Sequence, residues 1–254
     1  MQDPNTNQVL NLSLQWDYRK GNIVTISDLH VPYQHPDAIK FLDALKQRYN
    51  PKMVVCLGDM LDFHALSYHE ADPDLLSAGD ELRVSEDSVR DIETIYPKMY
   101  VIDSNHGALP QRKAKSAGMP KKLLKTYREI YGLRGKGWTF VRDLTIETAS
   151  KYLPDIHFTH GIKRDVLSTA AKRGQRIVSG HFHESFRIQY LANPNSLIWG
   201  VNAGCLVDHN SLAMAYGANN ENKPIIGTCV IVRGVPVLEP MILRKNGRWT
   251  GKLL

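Results

Sequence analysis

Met53-Val54-Val55-Cys56-Leu57-Gly58-Asp59 is a run of five apolar residues stopped by glycine and aspartate. A short apolar run without helical spacing, closed by turn formers, reads as a buried strand that ends in a polar cluster. The same pattern recurs along the chain. Ile23-Val24-Thr25-Ile26 runs into Ser27-Asp28-Leu29-His30, and Met99-Tyr100-Val101-Ile102 runs into Asp103-Ser104-Asn105-His106. Ile156-His157-Phe158-Thr159 runs into His160-Gly161, and Arg176-Ile177-Val178-Ser179 runs into Gly180-His181-Phe182-His183.

Helical patterns lie between these runs. Residues 36–49 place Ile39, Leu42, Leu45 and Tyr49 at helical spacing, and residues 80–96 do so with Leu82, Val89, Ile92 and Tyr96. Residues 120–131 and 163–173 also read as helices. Strand, helix and strand in alternation imply a sheet with parallel portions covered by helices. Residues 196–201, 224–232 and 235–243 read as strands joined by Gly and Pro turns, which predicts an antiparallel ending. Residues 1–20 read as an N-terminal arm or a peripheral strand, and residues 21–254 as one domain.

In α/β sheets, ligands bind at the carboxyl ends of the strands. The polar clusters all fall there, so they are expected to converge. They supply Asp28, His30, Asp59, Asn105, His106, His160, His181 and His183. Carboxylate oxygen and imidazole nitrogen suit Mn²⁺, Fe²⁺, Zn²⁺ or Ni²⁺. Two metals in one site need a bridging carboxylate, and Asp59 is central among the clusters. Asp28-Leu29-His30 and His181-Phe182-His183 put alternate residues on one side of an extended segment. Gly58 and Gly180 precede ligands, where a side chain would crowd the site. Each piece is common alone. Their order and shared placement carry the reading.

Taken in order, Asp28-Leu29-His30, Gly58-Asp59-Met60-Leu61-Asp62, Asn105-His106, His160-Gly161 and Gly180-His181-Phe182-His183 resemble the calcineurin-like metallophosphoesterases. The resemblance spans about residues 23–185. It implies an α/β fold, a four-layer α/β/β/α sandwich with two mixed β-sheets. It implies two divalent metal ions, Mn²⁺ first among the candidates. Asp28, His30, Asp59 and His183 would hold one, and Asp59, Asn105, His160 and His181 the other. His106 would face the leaving group, with Asp62 bonded to it. The implied reaction is hydrolysis of a phosphate ester by a metal-activated water.

Two departures stand out. The third motif reads Ser104-Asn105-His106-Gly107, where the family usually has Gly first and Asp or Glu last. The missing acid is expected to loosen nearby hydrogen bonds or enlarge the pocket. Asp62 is followed by Phe63-His64, where protein Ser/Thr phosphatases of the family have Arg-Gly. That speaks against a protein phosphatase. His64 is a candidate substrate contact, set against a plain surface histidine.

Composition bounds the rest. The chain has 254 residues, 43% hydrophobic and 23% charged, as globular domains do. Its three cysteines, Cys56, Cys205 and Cys229, are odd in number, far apart and lack a C-x-x-C, which argues against a disulfide framework and a cysteine zinc site. No signal segment or membrane span is legible, so a cytoplasmic protein with no membrane partner is expected.

The net charge of +6 favours polyanionic partners. Between residues 108 and 137 stand Arg112, Lys113, Lys115, Lys121, Lys122, Lys125, Arg128, Arg134 and Lys136, against the single acid Glu129. Arg112 and Lys113 follow His106 and are candidate substrate contacts. Tyr127, Tyr131 and Trp138 are interleaved. They stack on bases in one reading and pack inward in the other. An acidic stretch over 70–93 reads as a solvated face. A tail cluster of Arg244, Lys245, Arg248 and Trp249 would add backbone contacts or serve no purpose. The substrate expected is DNA, RNA or a nucleotide. The alternative is a phosphomonoesterase acting on small-molecule or protein phosphates.

Overall fold

The computed structural model describes residues 9–68, 74–148, 153–211, 214 and 221–254. Its strands are β1 Leu12–Gln15, β2 Asn22–Ile26, β3 Met53–Cys56, β4 Met99–Ile102, β5 Trp138–Val141, β6 Leu144–Glu147, β7 Ile156–Thr159, β8 Arg176–Ser179, β9 Phe186–Asn193, β10 Ser196–Ala203, β11 Gly227–Val232 and β12 Val235–Pro240. Its helices are α1 Ala38–Tyr49, α2 Ala78–Ile95, α3 Leu109–Ser116, α4 Tyr127–Ile130 and α5 Val166–Arg173.

The strands form two mixed sheets, ordered β12-β11-β2-β3-β4-β5 and β1-β6-β7-β8-β10-β9. In the first, β2, β3, β4 and β5 run parallel while β11 and β12 are antiparallel. In the second, β7, β8 and β10 run parallel. β1 pairs with β6 at one edge, from within the stretch expected as an arm or peripheral strand.

Alternation along the strands builds the layers, because successive side chains point to opposite faces. On β2 and β3, Val24, Ile26, Val54 and Cys56 pack with Phe41, Leu42 and Leu45 of α1 and Val89 and Ile92 of α2. Ile23 and Val55 face the other way and meet Phe158, Val178 and Val201 of the second sheet. On that sheet's far face, Ile177 and Ile198 pack with Val166 and Ala170 of α5. The result is the expected α/β/β/α sandwich. Cys56, Cys205 and Cys229 are buried and free.

Some expected elements change form. Residues 120–131 are not one helix: Lys121–Leu123 is a single 3-10 turn, and α4 is a short helix opened by a Thr126–Glu129 capping box. Glu129 is the capping acid, so it cannot also neutralise the basic stretch freely. β5, β6, β9 and α3 are additional to the sequence reading. Of the acidic stretch, Glu70 and Asp72 lie outside the described residues. Glu93 accepts hydrogen bonds from the backbone of Arg134 and Gly135, at 3.1 and 2.8 Å. It therefore pairs with the basic segment rather than with water alone.

The basic tail is a clamp. Asp37, 5% exposed at the start of α1, accepts Arg248 Nε at 2.8 Å and the Trp249 backbone N–H at 3.0 Å. Arg248 Nη2 bonds its second oxygen. The Trp249 ring meets Phe41 edge-on, with centroids 5.4 Å apart. Arg248 and Trp249 are thus occupied by the fold and not offered to a nucleic acid.

The Arg248 guanidinium holds Asp37 below the usual carboxylate range, against burial. Arg248→Ala should lower the Tm, since Asp37 loses its countercharge and two of its hydrogen bonds. A depressed carboxylate stabilises the fold above its unfolded pKa, about 4, and ceases to as pH falls through its folded value. The Tm gap between variant and parent should therefore close below pH ~4. A gap that persists at low pH would assign the effect to packing.

Candidate metal centre

All five polar clusters lie at carboxyl strand ends. β2, β3 and β4 are neighbours in one sheet, and β7 and β8 in the other. The loops after β2 and β3 continue the parallel pairing: His30 N–H bonds Asp59 O at 2.9 Å, and Val31 N–H bonds Met60 O at 2.8 Å. The turns are tight. Asp28, His30, Asp59 and His181 all have positive φ, at 51°, 51°, 44° and 74°. A Cβ on Gly58 would stand 2.6 Å from His160 Nδ1, and one on Gly180 2.8 Å from Asp28 Oδ2. Both glycines keep space for ligands, as their positions suggested.

The donors form two groups beside Asp59, and a third set, His30, Asp59 and His106, overlaps both. In the first, His183 Nε2 lies 3.1 Å from Asp28 Oδ1 and 3.3 Å from His30 Nε2. In the second, His160 Nε2 lies 3.1 Å from Asp59 Oδ2 and 2.6 Å from Asn105 Oδ1. The donor atoms of Asp59, His160 and His181 lie within 4.8 Å of one another. Asp59 Oδ2 is also 3.8 Å from His30 Nε2, so it stands between the groups. Asp28, His30 and Asp59 are at most 2% exposed, whereas Asn105 and His181 are exposed. The site is walled on the Asp28 side and open on the other.

The imidazoles are oriented from behind. His30 Nδ1 is 2.6 Å from Asp62 Oδ1, and His160 Nδ1 is 2.9 Å from the Leu57 carbonyl. Those oxygens accept, so each Nδ1 donates and each Nε2 turns a lone pair inward. Carboxylate or carbonyl behind imidazole is the arrangement that fixes metal-ligating histidines. Lone pairs and carboxylates facing one another need a positive charge among them.

The electrostatics agree. Burial opposes the charge on Asp59, but His160, His106 and His30 outweigh it and hold the carboxyl well below its ordinary range. Burial alone would lower His160, yet Asp59 first and Asp28 after it push it up to about 9. The same carboxylates that raise His160 would attract a cation placed among them. The residues fit a metal centre.

Several site residues differ in detail from the sequence reading. The Asp62 carboxylate binds His30. It is 3.5 Å from His106 Nδ1, which bonds instead to the Asp62 backbone carbonyl. The His106 N–H donates to Asp59 Oδ1 at 3.1 Å. His64 is not a surface residue: its side chain is 11% exposed, with Nδ1 3.7 Å from Asp62 Oδ2. Arg112 and Lys113 sit on α3, over the ring of Tyr68 at 5.0 and 4.1 Å from its centroid.

Tyr127, Tyr131 and Trp138 do not reach out to stack on bases. All are at least 96% buried, packed around Phe140 and tied by Tyr127 Oη to Asp103 and by Trp138 Nε1 to Tyr96 O. Their aromatic area fills the space between the sheet and α4, which is the inward alternative.

Ser104 was legible only as a departure. Its hydroxyl accepts the backbone N–H groups of Asp59 at 2.9 Å and Gly107 at 3.1 Å. It ties the third motif to the second, so the bonds do not loosen where the acid is missing. A small cavity beside it is lined by Asp103, Ser104, Gly107, Tyr127 and Phe140. Asp103 Oδ1 is 3.8 Å from where a Cβ on residue 107 would stand.

Fold and site together define an α/β protein with clusters of histidine and aspartate at its strand ends that could hold metal ions. The chain belongs to the calcineurin-like phosphoesterase family, whose pattern matches residues 21–185. No curated protein matches it by sequence. Among solved structures it is similar to vacuolar protein sorting 29 from Cryptosporidium parvum, at 14% identity and TM-score 0.45, over 92% of this chain and 94% of that one. It is similar to Yfce, a phosphoesterase from E. coli, at 13% identity and TM-score 0.45, over 92% and 98%. The Pseudomonas putida nuclease MPE follows at 14% identity and TM-score 0.38, over 87% and 90%. Among the described residues, no helix is long and apolar enough to cross a membrane.

Proposed function

We propose that the chain is a dinuclear metal-dependent phosphoesterase that acts on nucleic acid or nucleotides. The observation that carries the hydrolase reading is the pair of donor groups around Asp59, with His30 and His160 held from behind by Asp62 and Leu57. Asp28, His30, Asp59 and His183 would hold one ion, and Asp59, Asn105, His160 and His181 the other. Mn²⁺ is the first candidate, and Fe²⁺, Zn²⁺ and Ni²⁺ suit the same donors. Two such ions activate a water and neutralise charge on the phosphate oxygens.

The chain's own groups do the rest. Nδ1 of His106 is engaged by the Asp62 carbonyl, which leaves Nε2 to give a proton to the leaving oxygen. Its backbone N–H steadies Asp59. Asp62 orients His30, and the Ser104 hydroxyl fixes the turn that carries Asn105.

The substrate reading rests on the α3 rim. Arg112 and Lys113 follow the catalytic turn and share the exposed Tyr68 ring, 54% accessible. Cations beside an open aromatic face suit a phosphate chain with an unstacked base. His64, just behind Asp62, is the third candidate contact.

The deciding assay compares bis-p-nitrophenyl phosphate with p-nitrophenyl phosphate, with Mn²⁺ added and Asp59→Ala as control. The diester should be the better substrate. A monoester preference would replace the nucleic-acid reading with a phosphatase of small-molecule or protein phosphates. No turnover of either above the control would end the enzyme reading.

A further inference from the structure

Helix α2 brings an acid to the back of the metal centre. Glu81 belongs to the stretch expected to be solvated, yet it is 2% exposed. It shares the buried face of α2 with Ser85, Val89 and Ile92. Its carboxylate is faced by the backbone amides of Phe63, Ala65 and His64 and lies near enough to Asp62 for their charges to oppose. Phe63 is left-handed, with φ 53°, so the amides of this turn converge instead of alternating. A convergent set of amides needs an acceptor, and Glu81 is placed to be it.

The turn matters because Asp62 is on it, and Asp62 Oδ1 holds His30 Nδ1 at 2.6 Å. A second observation marks the same spot. Among the described residues, Tyr33 Oη, Asp62 Oδ2, His64 Nε2 and Glu81 Oε2 are buried polar atoms without a hydrogen-bond partner. Buried unpartnered polar atoms are expensive, and a fold that keeps several together is not optimised there for stability. Burial, with the Asp62 charge added, pushes Glu81 up to about 7. Either protonation state leaves an acceptor oxygen for the amides.

We propose that Glu81 is a positioning residue for the His30 side of the metal centre: it cradles the 63–65 amides, which fixes Asp62, which fixes His30. The inference rests on the metal-centre reading above. It predicts an effect on one ion and not on the other, because His160 is held by Leu57 and not by this turn.

The test is calorimetric titration of the full chain with Mn²⁺, with Tm recorded for each variant. Glu81→Gln keeps an acceptor oxygen. Glu81→Met keeps the volume and removes the acceptor, and Glu81→Ala, titrated alongside, avoids any misfit of the methionine. His30→Ala identifies which binding event belongs to the His30 side. The Met and Ala variants should weaken that event about tenfold and leave the other within about twofold, as outer-shell changes do. Glu81→Gln should bind both ions like the parent. Two events unchanged, two weakened alike, or a Gln variant as impaired as the Met variant would overturn the proposal. A parent chain that binds no Mn²⁺ would instead remove the metal-centre reading itself, and this proposal with it.

Discussion

Asp59→Ala should cost the protein both its metals and its activity. Asp59 Oδ2 faces His160 Nε2 at 3.1 Å and His30 Nε2 at 3.8 Å, so one side chain serves both donor groups. Its other oxygen takes the His106 N–H, so the catalytic turn loses its anchor as well. Loss of several kcal/mol of charge stabilisation corresponds to a rate fall of about a thousandfold or more. Metal analysis after dialysis should show occupancy dropping from two ions towards none. Unchanged metal content would remove Asp59 from the bridging position, whatever the rate did. Asp59 is buried among imidazoles that hold it charged, so its removal leaves His160 without a countercharge, and Tm is recorded beside activity to separate a folding loss from a catalytic one.

His106→Asn should give the complementary result, with metals kept and chemistry slowed. The donor atoms of His30, Asp59 and His106 also lie within 4.8 Å of one another, so this variant tests whether His106 is a ligand or a proton donor; His30, His160, His181 and His183 already give each proposed ion its imidazoles. Its ring sits edge-on to His30 with centroids 4.7 Å apart, against the site but anchored through the Asp62 carbonyl. Loss of a general acid is worth about 10²–10⁴ in rate. The loss should be larger for alkoxide-like leaving groups than for p-nitrophenolate, which departs without a proton. A series of aryl diesters with rising leaving-group pKa reads this directly. Equal slowing across the series would leave His106 as a charge stabiliser only.

Much of this site was legible because strand ends are short-range features. A Val- and Ile-rich run closed by Gly-Asp states both the strand and the turn, and the donors travel with the turn. The two-sheet pairing, by contrast, is non-local. Nothing in β9 or β6 alone says that it joins the second sheet, and so both were missed. Side-chain fate in the 108–137 segment was open for the same reason. Tyr127 and Tyr131 face inward because Phe140 lies on the neighbouring strand β5. Glu81 was hidden by composition, since it sits among acids that do face water. Its spacing with Ser85, Val89 and Ile92 was the available signal, and an acid on an otherwise inward stripe is worth flagging. Arg248 was misread because a tail's partner, Asp37, lies far away in sequence.

The left-handed ligands bear on how this protein would respond to selection. Asp28, His30, Asp59 and His181 hold backbone conformations that cost non-glycine residues roughly 1 kcal/mol or more each. Glycine at any of them would relax the turn and also remove a buried acid or an imidazole. A laboratory population screened for heat resistance alone would weigh that strain against the bonds these side chains make, such as His30 to Asp62 and Asp28 to the His181 N–H. Any evolution of a hardier variant has to select for turnover in the same round, because backbone strain and the candidate ligands share these four positions.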